Sequence, residues 1–179
     1  YVGAHGISQG LQTVMRAADR LRDEKEIVFL LVGDGAEKRD LLSLRSELDL
    51  SNVIMCPSQS RARVRAFYTA SDVCLVTLRD IPLFSTFIPS KMFEIMACGV
   101  PIIGAVFGEA REILDRSGAS YLVTPEDDLA LAEAIESLRA QPEARMQMGL
   151  SGRSFVSSHY DRRLQAKQYE EVLASLVSQ

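Results

Sequence analysis

Lys91 and Glu94 stand three residues apart at the head of an apolar stretch, PSKMFEIMACGVPII, and supply one cation and one carboxylate. On a helix that spacing places both on one face. Pro89 suits a first helical turn, Ser90 is of the type that caps free amides, and Gly99 followed by Pro101 ends the run. The amides near Ser90 and Lys91, the helix dipole and the Lys91 ammonium together favour an anion, typically a phosphate. Glu94, one turn deeper, can accept hydrogen bonds from vicinal hydroxyls. A capped amphipathic helix with an exposed Lys–Glu pair accounts for the same residues equally well on local physics.

Other residues have chemical potential of a weaker kind. Gly33-Asp34-Gly35 follows an apolar strand and permits close backbone approach of a ligand, with Lys38 and Arg39 in the next helical turn. A strand-to-helix turn that needs glycine torsions has the same composition. Arg61, Arg63 and Arg65 could meet phosphate or a lipid headgroup, although such spacing more often marks a solvated helix start. His5 and His159 have no second ligand at metal-binding spacing, so no metal site is expected; His5, in a glycine turn, is expected to be exposed. Asp127-Asp128 precedes a helix as a cap pair does.

These residues need a scaffold, and the rest of the chain describes one. Its 179 residues, 47% hydrophobic and 25% charged, suffice for one sizeable core. The net charge of −4 argues against nucleic acid as a partner. Cys56, Cys74 and Cys98 lack C-x-x-C spacing and read as reduced thiols of a cytoplasmic protein. Neither a membrane span nor a signal peptide is recognised, so any membrane contact is expected to be peripheral.

In chain order, residues 1–3 read as a strand remnant, Gly3, Gly6 and Gly10 as a flexible turn, and Leu11, Val14, Met15, Ala18 and Leu21 as a helix. Strands are predicted at 27–32, 53–56, 73–78, 100–105 and 120–123, the first buried on both faces. Helices alternate with them, followed by helices over 128–139, 142–157 and 161–177. This alternation predicts an α/β fold, a Rossmann-like three-layer sandwich with one parallel sheet covered on both faces. The start at Tyr1, already in a strand, suggests a piece of something longer.

PSKMFEIMACGVPII followed by GEAREI resembles the C-terminal signature of retaining group 1 (family 4) glycosyltransferases, which have the two-domain GT-B fold. The family pattern is a glutamate, seven intervening residues, then a second glutamate that opens E-x-M-A-x-G-x-P. Glu94 matches the second, whose implied role is to bind the nucleotide's ribose, with the diphosphate on amides near Ser90 and Lys91. The first falls at Thr86, so the family's contact from there has no counterpart and no catalytic residue is assigned. The turn GAHGISQG sits where the family has G-R-L-x-x-x-K-G, with Ala4 and Gln9 at the cationic positions, and Lys91 is the expected substitute. Cys56-Pro57-Ser58 corresponds to a loop that lines the nucleobase pocket, and Glu112 to the glutamate of G-G-x-x-E-[IV].

The resemblance implies a donor-binding set of Glu94, Lys91, Ser90, Gly33, Gly35, Lys38, Pro57, Gly6 and Gln9. It implies a nucleotide-diphosphate sugar as donor substrate, no metal or other cofactor, and a glycan or lipid-linked acceptor held by an N-terminal domain outside residues 1–179. That single donor domain would end in a helix, residues 161–179, crossing to the missing partner domain; packing on its own sheet is the alternative. Competing readings are a nucleotide-sugar 2-epimerase and a non-catalytic nucleotide-binding module of flavodoxin-like fold.

Overall fold

The computed structural model describes residues 1–177; Ser178 and Gln179, the end of the predicted terminal helix, lie outside the described residues. Five strands alternate with helices: β1 (Phe29–Val32), β2 (Val53–Cys56), β3 (Cys74–Thr77), β4 (Ile102–Ala105) and β5 (Ser120–Val123). The helices are α1 (Leu11–Arg20), α2 (Lys38–Glu47), α3 (Arg61–Thr69), α4 (Lys91–Cys98), α5 (Gly108–Ser117), α6 (Asp128–Arg139), α7 (Pro142–His159) and α8 (Arg162–Val177). All strand pairing is parallel, and helices cover both faces, giving the Rossmann-like α/β architecture.

Successive strand residues point to opposite faces, and this divides the core in two. Phe29, Leu31, Leu75, Ile103 and Val123 pack with Leu11, Met15, Leu41 and Leu131 of α1, α2 and α6. Val32, Cys74, Val76 and Ile102 pack with Tyr68, Met92, Met96, Leu114 and Val156 on the side of α3, α4, α5 and α7. Local chemistry sets several helix ends. The Asp127 side chain accepts a hydrogen bond from Ala130 N at 2.8 Å at the start of α6, and Gly99, at φ 73°, closes α4 in the left-handed conformation.

Three expectations need correction. The strands form two ladders, β1–β2 and β3–β4–β5, instead of one continuous sheet. Residues 1–3 join only the first: Tyr1 N donates to Leu30 O, Val32 N to Tyr1 O and Gly3 N to Val32 O, at 2.7–2.9 Å. Among the described residues no hydrogen bond joins that segment to β3. The run beginning at Ile27 is not buried on both faces, because the ladder starts only at Phe29 N donating to Asn52 O, and Val28 is 58% exposed. The glycine turn is not loose either, since it contains a 3-10 turn at Ile7–Gln9.

α8 does not pack on the sheet. Leu164, Tyr169, Val172, Leu173 and Leu176 are all exposed.

Candidate functional site

Parallel strands send their following loops to one end, and the sequence-predicted residues gather there. The glycine turn after residues 1–3 is stitched to the turn after β1: His5 N donates to Asp34 O, and Glu37 N to His5 O, both at 2.8 Å. Gly33 and Gly35 have φ of 149° and 156°, and a Cβ on either would run into the backbone of Gly3 or His5. Turn-on-turn contact therefore requires these glycines, whatever else they approach.

Gly6 and Gln9 also hold the turn together. Gly6 N donates to Gln9 Oε1 at 3.0 Å, while Gln9 O accepts from Thr77 Oγ1 at 2.7 Å, fastening the turn to β3. The Lys38 ammonium donates to Gly33 O and to Cys56 O, each at 3.0 Å, and so pins the ends of β1 and β2 together. Burial lowers its pKa. Pro57 and Ser58, just beyond that anchor, are exposed at the mouth of the same end, and so is Arg39.

α4 presents Ser90, Lys91 and Glu94 differently from expectation. Ser90 is already helical at φ −56° and ψ −27° and its side chain makes no cap hydrogen bond, so the first amides of the helix are left free of side-chain capping. Lys91 and Glu94 do not pair. Glu94, with its side chain 49% exposed, has Arg61 of α3 as its ionic neighbour, at 4.0 Å. Lys91 turns the other way, into the interior, where its Nζ lies 3.8 Å from the centre of the Tyr1 ring. A Cβ on Gly3 would collide with that Nζ. Burial pushes the Lys91 pKa down to about 8. The helical spacing was right; the long lysine side chain found an aromatic face and the space left by a glycine, which spacing cannot reveal.

His5 is fully buried, against the expectation of an exposed turn residue. The turn folds inward because its backbone is bonded to the Gly33-Asp34-Gly35 turn, and it takes the ring with it. Neither ring nitrogen has a partner among the described residues, and the ring lies 6.1 Å from that of Tyr1. Burial first, then the Lys38 charge, pushes its pKa down to about 4, so the imidazole is neutral at pH 7.

The loop that carries Thr86 is held at both ends. Arg79 N donates to Ser8 O at 2.9 Å, Arg79 Nε pairs with Glu126 at 3.3 Å, and Asp80 N donates to Glu126 Oε2 at 2.9 Å. Glu126 adopts φ 60°, uncommon for a side-chain-bearing residue. Farther on, a 3-10 turn at Pro82–Thr86 lays Ser85 O against Gly108, where a Cβ could not fit. Thr86 is exposed, as is Glu112 on α5. Arg79, Glu126 and Tyr1 went unnoticed in the sequence because none belongs to a local motif.

Among the described residues no group of three or more His, Cys, Asp or Glu side chains could hold a metal ion. A cavity of about 480 Å³ is lined by Tyr1, Phe29, Leu31, Val73 and Leu75. The arrangement is thus an exposed carboxylate and uncapped helix amides beside a close-packed glycine turn, with a half-buried ammonium beneath. It suits an anion next to a diol.

Comparisons with known proteins bear on the family and the fold. Residues 1–155 match the family model described as glycosyl transferases group 1. WcaI of Escherichia coli (strain K12), described as a colanic acid biosynthesis glycosyl transferase, is 31% identical over 80% of this chain and 35% of its own length. Sucrose-phosphate synthase from Thermosynechococcus elongatus is a solved relative at 25% identity and TM-score 0.79, covering 96% of this chain and 43% of its own. The fold also matches Anabaena Alr3699/HepE, solved in complex with UDP, at 21% identity and TM-score 0.85, over 97% of this chain and 47% of that one. The chain therefore spans less than half the length of each of these three relatives.

Proposed function

The chain belongs to the group 1 glycosyl transferases, and from that membership we propose that it is the donor-binding part of an enzyme that moves a hexosyl group from a nucleotide-diphosphate sugar to a glycan or lipid-linked acceptor. The observation that carries this reading is the pairing, on one helix, of uncapped amides at Ser90 and Lys91 with the exposed carboxylate of Glu94, beside the glycine turn. Glu94 would accept from the ribose hydroxyls, and the amides would hold the diphosphate. Gly6, Gln9, Gly33, Gly35 and Lys38 shape the floor through the bonds they make, with Pro57 at the nucleobase side. Preorganised donors at a helix N-terminus stabilise a diphosphate as it leaves, so the protein's contribution to bond breaking is electrostatic.

The UDP complex of HepE and the description of WcaI support a uridine nucleotide and a role in cell-surface polysaccharide synthesis. The acceptor would be bound by the remainder of a longer protein, and the uncovered apolar stripe of α8 fits a helix that crosses to it. No helix among the described residues is long and apolar enough to cross a membrane. No observation favours the epimerase or the flavodoxin-like module. Calorimetric titration with UDP, GDP, NAD and FMN tests the proposal: weak binding of a nucleoside diphosphate is expected, and tight binding of NAD or FMN with no response to UDP or GDP would sink it.

A further inference from the structure

The family's glycine turn carries two cations, and this one has Ala4 and Gln9 in their places, with Gln9 committed to closing its own turn. Lys38 is committed too, to the carbonyls of Gly33 and Cys56. Lys91 is different. Among the described residues its ammonium has no hydrogen-bond acceptor; the face of the Tyr1 ring and the open side of Gly3 lie against it, with the Cys74 thiol also nearby. Removing an ammonium from water without an acceptor or counter-charge is costly, and a ring face recovers only part of that cost. A site that tolerates this arrangement is one in which an anion completes it.

We propose that Tyr1 and Gly3 are positioning residues that seat the Lys91 ammonium beneath the glycine turn, so that the cation facing the donor's diphosphate is delivered by α4 instead of by the turn. The inference rests on the donor-site reading above. Each part of the seat has its own reason. Gly3 has no side chain, so Nζ can occupy the space a Cβ would take. The Tyr1 ring closes the opposite side at 3.8 Å, and its hydroxyl is itself fixed by donating to Ala4 O at 2.7 Å. His5, buried nearby and neutral, adds no competing positive charge at pH 7. The arrangement also explains why Lys91 ignores Glu94, leaving that carboxylate available for hydroxyls.

The test is titration of the wild-type chain, Lys91→Met, Tyr1→Leu, Gly3→Ala and Glu94→Gln with UDP and with uridine at low and high salt, with thermal unfolding to verify folding. Wild type is expected to prefer UDP over uridine about tenfold or more, the scale of one charge-assisted contact. Lys91→Met should lower that preference severalfold, the helix amides keeping the remainder, and weaken the salt dependence, with uridine unchanged. Tyr1→Leu should reduce the same ratio without affecting uridine, which a residue that merely supports the fold would not do. Gly3→Ala should act likewise; because Gly3 has φ 148°, Tyr1→Leu decides the matter if that variant does not fold. A wild-type ratio in Lys91→Met or in folded Tyr1→Leu overturns the proposal. If wild type binds neither ligand, or Glu94→Gln binds both as wild type does, the donor-site reading itself falls.

Discussion

Lys91 and Glu94 sit one helical turn apart on α4 yet face different surroundings: the lysine lies against the Tyr1 ring at 3.8 Å, and the glutamate faces Arg61 at 4.0 Å. An exposed pair at this spacing would contribute a few tenths of a kcal/mol to the helix. Forgoing it leaves an ammonium and a carboxylate with separate surroundings, which under the donor-site proposal would act on separate parts of one ligand.

Glu94→Gln is expected to keep the fold, since the side chain is half exposed, and to lose roughly 1.5–3 kcal/mol of binding for UDP and uridine alike, the range for hydrogen bonds to a charged group. Calorimetry on both ligands checks it. A loss confined to UDP would move Glu94 from the ribose to the phosphates.

The buried imidazole of His5 predicts an acid-sensitive fold. Its pKa is about 4 in the folded chain against an ordinary 6.5, so between those values the unfolded chain binds the proton and the folded chain does not. Above pH 6.5 both states are neutral and the proton term is nil; as pH falls from 6.5 towards 4 the folded chain is progressively destabilised relative to the unfolded one. His5→Leu should abolish that slope and, by removing two unpartnered buried nitrogens, raise stability at pH 7 by about 1–3 kcal/mol. Urea unfolding of both proteins across this pH range reads the effect; identical slopes would mean that His5 does not cause it.

Lys38→Met should destabilise the chain by about 1–2 kcal/mol, because two partly buried carbonyls, Gly33 O and Cys56 O, lose a charged donor, although Cys56 O keeps Gly33 N. Hydrogen exchange localises the damage: faster exchange is expected at the ends of β1 and β2, with β4 unaffected. Wild-type stability would show that the lysine can be replaced by solvent.

Gly149→Ala should cost about 1–3 kcal/mol by overpacking, since its Cβ would fall on Gly99 O, a backbone atom with nowhere to go. Ala at Gly118, whose neighbours lie 3.5 Å or more from a built Cβ, meets no clash and is strained only through its φ of 60°. Comparing the two midpoints of thermal unfolding separates contact from conformation.

Much of the architecture was legible in the sequence. β2, β5 and α6 occupy the residues predicted, because a short apolar run between turn residues and an acidic cap ahead of a periodic stretch are local signals. The position of α4 was legible for the same reason, through its proline entry and glycine exit. The directions of Lys91 and Lys38, the burial of His5 and the seam between the ladders were not. Each depends on what a distant segment leaves open: the missing Cβ of Gly3, the carbonyl of Cys56, the turn at Gly33. Val28 illustrates the reverse failure, an apolar residue in an apolar run that lies just outside the ladder and stays in solvent.

The contact between Gly99 and Gly149 fixes the end of the helix that bears Glu94 against α7 with no side chain between them. A side chain on Gly149 would meet Gly99 O, a backbone atom that cannot rotate away, whereas Gly99 is held to glycine by its φ of 73° and not by lack of room. Such a joint passes displacement on like a rigid pin: a shift of α7 at Gly149 moves the end of α4, and Glu94 with it.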